Sequence, residues 1–204
     1  ACLLALATAG CGSDAGPARP IISVSVSGLN PGRTLVLQNN GGDDLSISAD
    51  GVHRFPAALA SGARYEVSIA AQPGGQTCYV AQGSGVAVTA NVTGIRVDCP
   101  HFVYVANKDS HDIAAFRVDL ASGGLTPVPG SPFAGGVAPT FLAIHPGGHR
   151  VYATHFGSRD ISVFRIDPAT GALTQTGTFA ASAGRVAVSL AFDASGQRIY
   201  VAER

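Results

Sequence analysis

The sequence predicts an all-β protein: a small Ig-like β-sandwich over residues 21–99, then the first two to three blades of an incomplete β-propeller over residues 101–204. Three observations predict it. Short bursts of strict alternation, as in "IISVSVSG", give one wet and one buried face per strand. The polarity comes from Ser, Thr, Gly and Asn rather than charge, with 26 Gly and 12 Pro to make turns and only 13% charged residues. Most telling, a phrase is written twice: "FVYVANKDSHDIAAFRVD" at 102–119 returns at 150–167 as "RVYATHFGSRDISVFRID". Lys and Arg number 13 and Asp and Glu 13, so net charge is zero, and no basic run attracts phosphate or anionic lipid. Nucleic acid is excluded as a partner on that ground.

The opening "ACLLALATAGCGSD" is apolar, then small, then polar, the pattern of the end of a secretory signal and its cleavage site. No methionine occurs at position 1 or elsewhere, so translation is expected to start upstream. The apolar run is too short to span a bilayer. "TAGC" resembles the lipobox of bacterial lipoproteins, with Thr8 where Leu is more usual. The resemblance implies that Cys11 is lipidated and becomes the first mature residue. Residues 1–10 would then be a signal remnant and 11–20 a lipidated tether, "GSDAGPARP" supplying the flexible part. Gly12 after the cysteine resembles the lipoproteins sorted to the outer membrane, so the expected location is the outer membrane or cell surface. The alternative is an ordinary signal peptide with an incidental cysteine.

From Ile21 to Cys99 about seven short alternating runs are separated by "NPG", "NNGGDD", "ADG" and "QPGG". That density of strands predicts an antiparallel sandwich. Cys78 and Cys99 remain once the export signal is gone. In an oxidising compartment they are expected to pair, since neither has a second Cys or His at zinc-ribbon spacing. This part carries no catalytic pattern and reads as a spacer or stalk.

Beyond Pro100 the repeat starts at once. Tyr104, Tyr152 and Tyr200 stand 48 residues apart, and the same offset links Ile113 to Ile161, Phe116 to Phe164, Asp119 to Asp167 and Gly123 to Gly171. A period of 40–50 residues with about four strands is that of propeller blades. In "DIAAFRVD" and "DISVFRID" apolar residues fall on both parities, so neither strand face is meant for water. A neighbouring copy is what covers it.

"FVYVAN", "HPGGHRVYATHFGSRDISVFRIDPATGALT" and "FDASGQRIYVAE" resemble the seven-bladed lactonase-like propellers, whose best-known members are 6-phosphogluconolactonases, and the related "YVTN" surface propellers. By that resemblance "TFLAIHP" is channel strand a, "RVYATH" strand b, "ISVFRI" strand c and "LTQTGTF" strand d. The chain then opens at a strand b and stops in the second strand of a third blade, as a fragment lacking about five blades would.

In this phasing the b–c turns "NKDSHD" and "HFGSRD" share a rim with the d–a turns, where propeller ligands gather. Asn107, Lys108, His111, His155, Arg159 and Asp160 are the candidate rim residues. Against this, Asp112 and Asp160 could simply fix the turn by bonding the backbone, the rest being solvated. No catalytic residue is assigned. Family enzymes often carry Pro-His at the start of a channel strand, whereas the matching positions are Pro139-Thr140 and Ala187-Val188. His145 and His149 flank the turn "PGG", so their spacing makes no helical metal pair, and no metal or cofactor is expected. Two functions stay open, with a purely structural repeat protein as a third. One is a lipid-anchored surface scaffold binding a glycan, a peptide or another envelope protein. The other is an exported sugar-lactone hydrolase.

Overall fold

The computed structural model describes residues 19–182 and 185–204, and every helix- or strand-type element among them is a strand. The export segment and Cys11 lie outside the described residues.

The first eight strands are β1 (Ile21–Ser27), β2 (Leu35–Asn39), β3 (Gly42–Ile47), β4 (Gly51–Ala58), β5 (Ala63–Ala71), β6 (Tyr79–Ala81), β7 (Ser84–Ala87) and β8 (Val92–Asp98). They form two four-stranded sheets, ordered β4-β1-β8-β6 and β3-β2-β5-β7. The alternation read in β1 does what it predicts: Ile22, Val24 and Val26 enter a core shared with Leu35, Leu37, Phe55, Ile95 and Val97. One pairing departs from the antiparallel expectation, because β8 runs parallel to β1, with Ser25 opposite Arg96. The strand before β8 belongs to the other sheet, so β8 arrives by a crossover and not a hairpin, and a crossover permits parallel pairing. Just outside β6 and β8, Cys78 and Cys99 are joined by a disulfide.

After Pro100 come β9 (His101–Asn107), β10 (Asp112–Val118), β11 (Leu125–Pro127) and β12 (Phe133–Ala134), then β13 (Pro139–Ile144), β14 (Arg150–His155), β15 (Asp160–Ile166) and β16 (Leu173–Ala180). A last pair follows, β17 (Ala187–Phe192) and β18 (Ile199–Glu203). They make three separate sheets, not one. The middle sheet is a full blade in sequential order, β13-β14-β15-β16. In the first, β10 pairs β9 on one side and both β11 and β12 on the other. Its outer strand is split because Phe133 follows Leu125 by eight positions, whereas Phe179 follows Leu173 by six at the same register. The surplus carries Pro129 and Pro132, which cannot donate to a ladder.

The middle blade is buried on both faces. Val151, Ala153, Phe164 and Ile166 pack with Ile113 and Tyr104 of the first blade. Ile161, Phe141, Ala143 and Tyr152 pack with Ala187, Leu190 and Phe192 of the third sheet. Equivalent positions with no neighbouring sheet are open to solvent. Val103 and Val105 are 40% and 42% exposed where Val151 and Ala153 are 0%, and Tyr200 is 58% exposed where Tyr152 is packed.

Repeated turns lock neighbours together. In each c–d turn an aspartate side chain accepts N–H bonds from residues two and three ahead: Asp119 from Ala121 and Ser122, Asp167 from Ala169 and Thr170. These bonds hold both carboxyls below the usual range, the Ala121 N–H first for Asp119 and the Thr170 N–H first for Asp167. The turn glycine Gly171 has φ +79°, and a Cβ there would lie 2.4 Å from the Phe102 ring. The Tyr104 hydroxyl donates to its carbonyl at 2.9 Å, so the turn of one blade sits on strand β9 of the other. Burial, with the Asp167 charge adding to it, pushes the Tyr104 phenol above its ordinary value.

The sandwich grips the rim that carries the a–b turns. Gln76 is 5% exposed, accepts the Asn30 N–H and donates to the Cys99 carbonyl, while His101 Nε2 bonds Asn30 Oδ1 at 2.8 Å. Gly148, in the turn between β13 and β14, is close enough that a Cβ would lie 2.9 Å from the Thr77 hydroxyl.

Two outcomes are expected. Phe164→Ala, at a side chain 2% exposed, should lower unfolding stability by about 3–5 kcal/mol in a urea titration. Reducing the disulfide, which closes a loop with sequence separation 21, should cost about 3 kcal/mol and lower the melting temperature.

Candidate functional site

The b–c and d–a turns meet on the rim away from the sandwich contact. The d–a segment 135–138 crosses two b–c turns. It bonds the first blade's turn through the Gly135 N–H to the His111 carbonyl (3.0 Å) and the Ala138 N–H to His111 Nδ1 (2.9 Å). It bonds the second blade's turn through the Phe156 N–H to the Ala138 carbonyl (2.9 Å) and the Gly157 N–H to the Val137 carbonyl (3.1 Å). All six candidate residues thus lie on two turns joined by one strap, but they are spent differently.

Asn107 donates its amide to Asp112 Oδ1 at 2.7 Å, bracing the ends of the first turn. His111 and Arg159 occupy equivalent positions with φ 62° and 59°, left-handed conformations imposed by the turn on residues other than glycine. Asp160 accepts the Ser158 hydroxyl at 2.6 Å. These are turn-building roles. Lys108 stays exposed.

His155 takes the place that Asn107 holds one blade earlier. It is 0% exposed, its Nε2 lies 4.0 Å from Asp160 Oδ1, and neither ring nitrogen has a hydrogen-bond partner. Gly136, at φ +82°, makes the space for it, since a Cβ there would stand 2.6 Å from the ring. Burial holds the imidazole below its ordinary value, and the nearby Asp160 carboxylate opposes the shift without cancelling it. A fully enclosed imidazole cannot meet a substrate in this arrangement.

Two residues that the sequence reading did not single out complete the rim. The Phe156 ring is 42% exposed, with the Lys108 ammonium 5.2 Å and the Arg204 guanidinium 5.4 Å from its centroid. Lys108, Phe156 and Arg204 are 48 residues apart, the same position in three successive blades. The offset that ties the tyrosines together would have found them.

Away from the rim, the groove carboxylates and His145 are engaged in turns. A groove of about 510 Å³ between sandwich and first blade is lined by Asp50, Asp98 and Asp119. Asp50 accepts the Gly28 and Leu29 N–H groups, Asp98 the Ser27 hydroxyl, and Asp119 its own turn. His145 spends both nitrogens, Nδ1 accepting from Gly147 N–H and Nε2 donating to the Gly196 carbonyl at 3.0 Å, so it latches adjacent a–b turns. No group of three metal-ligating side chains occurs among the described residues. Thr140, which follows Pro139 at the start of β13, places its hydroxyl 3.2 Å from that of Thr154.

The sequence matches the lactonase family, described as a 7-bladed beta-propeller, over residues 69–203. The chain belongs to the lactonase family. The matched region begins within β5, so it takes in the later sandwich strands as well as the blades. Among solved structures, the chain is similar to a provisionally assigned 6-phosphogluconolactonase from Bacteroides uniformis, at 17% identity and a TM-score of 0.44. That alignment covers 87% of this chain and 46% of the other, so the chain spans about half that protein's length. No curated protein matches.

The buried imidazole makes a pH prediction. Its folded pKa lies below the unfolded value of 6.5, so the unfolded state binds more protons as pH falls. Stability should therefore drop as pH falls through 6.5, until the folded imidazole itself titrates. His155→Asn, which copies the preceding blade, should flatten the melting temperature between about pH 7 and 5.5. An unchanged slope would show that His155 does not contribute to it.

Proposed function

We propose that this lactonase-family protein is an exported, lipid-anchored envelope protein whose propeller binds a ligand at the b–c rim. The observation that carries the reading is the division of labour on that rim. Asn107, His111, Asp112 and Asp160 are engaged in the turns and His155 is enclosed, whereas Lys108, Phe156 and Arg204 stand open in a row. Hydrolysis of a lactone needs a group free to activate water and donors aimed at the oxyanion. Binding needs an exposed, chemically varied surface on rigid turns.

Two further features support the envelope location. "TAGC" offers Cys11 for acylation, and multiple acyl chains anchor firmly where one does not. The Cys78–Cys99 disulfide suits an oxidising compartment. The sandwich contacts the a–b rim, so an N-terminal tether would present the b–c rim away from the membrane.

The second reading, an exported sugar-lactone hydrolase, is favoured by the family match itself. Full-length protein should incorporate labelled palmitate, and Cys11→Ser should lose both the label and membrane association. A Cys11→Ser protein that still labels would refute the anchor. Steady sugar-lactone turnover by the full-length protein, above the uncatalysed rate, would replace the binding reading with the hydrolase.

A further inference from the structure

Lys108, Phe156 and Arg204 stand first after β9, β14 and β18, equivalent strands one repeat apart, so the fold sets them side by side along the rim. All three are exposed. Neither cation makes a salt bridge among the described residues, where the one close pair is His155 with Asp160. Each cation instead leans on the Phe156 ring, at 5.2 and 5.4 Å. A cation held over an aromatic face at an exposed site is held weakly and is free to turn to a better partner.

We propose that this row is a docking platform for an acidic, uronate-containing polysaccharide, with a sugar ring on Phe156 and carboxylates on Lys108 and Arg204. The inference rests on the binding reading and names the ligand of that same rim. The C–H edge of a pyranose carries slight positive charge and suits the negative face of the phenyl ring. The guanidinium takes a carboxylate by two parallel hydrogen bonds, and the ammonium takes one as a point charge. Beneath the row the turn backbone is already committed: the N–H groups of Phe156, Gly157 and Arg159 donate to Ala138, Val137 and His155. An extended peptide would find no free N–H at these three positions of the turn under Phe156, whereas a glycan is read through side chains. The even placement, one residue per blade, suits a polymer laid along the rim more than a compact ligand in a pocket.

The test is binding of the full-length protein to polygalacturonate and alginate, with dextran and poly-glutamate as comparison polymers, by titration calorimetry at low and physiological ionic strength. The uronate polymers should bind, more weakly as salt rises, and dextran and poly-glutamate should not. Phe156→Ala and the pair Lys108→Gln with Arg204→Gln should each weaken binding at least about tenfold while the melting temperature stays within a few degrees. Phe156→Trp should retain binding, which separates loss of the platform from loss of fold. Equal affinity of Phe156→Ala, or equal binding of dextran or poly-glutamate, overturns the proposal. Failure to bind any uronate polymer, without lactone turnover, overturns this ligand class and leaves the binding reading standing. Failure to bind with lactone turnover overturns both.

Discussion

A strand that is apolar on both faces has to be given two neighbours, and the organisation beyond Pro100 follows from supplying them. In β15, Phe164 and Ile166 face one sheet while Ile161 faces another, and all three are buried. The sheets stay separate because each needs a partner on its face, not only along its edge. Repetition solves the matching problem, since a surface that fits its neighbour fits again when copied. The same rule accounts for the exposed residues: Val103, Val105 and Tyr200 are copies of buried positions that no sheet covers among the described residues.

Most of the architecture was legible because period and register leave marks at fixed offsets. The c–d turns could be located from Asp119 and Asp167 with Gly123 and Gly171, and the structure gives each pair the same hydrogen-bonding task. The parallel pairing of β8 with β1 was not legible, because strand direction in a sandwich depends on which sheet each connection crosses to. Neither was the split outer strand of the first blade. Its two-residue surplus precedes a shorter connection, so the overall offset of 48 hides it.

The rim was readable as a place but not as a chemistry. Asn107 and His155 look alike as polar residues one repeat apart, yet one is bonded to its turn aspartate and the other is sealed beneath Gly136 without a partner. That difference is set by the strap 135–138, which reaches over from another part of the chain. Phe156 is apolar and Arg204 lies outside the two turns, so neither stands out by residue type. Asking instead what occupies one position in every blade would have shown cation, aromatic, cation.

The central claim is that burial on both faces holds the repeat together, and hydrogen–deuterium exchange of this 204-residue chain tests it most directly. Amides of Asp160–Ile166, covered on both sides, should be the slowest to exchange of those beyond Pro100. Those of His101–Asn107 and Ile199–Glu203, each with an uncovered face, should open at lower free energy. Uniform protection across the three strands, or faster exchange in the middle blade than at either end, would contradict the account.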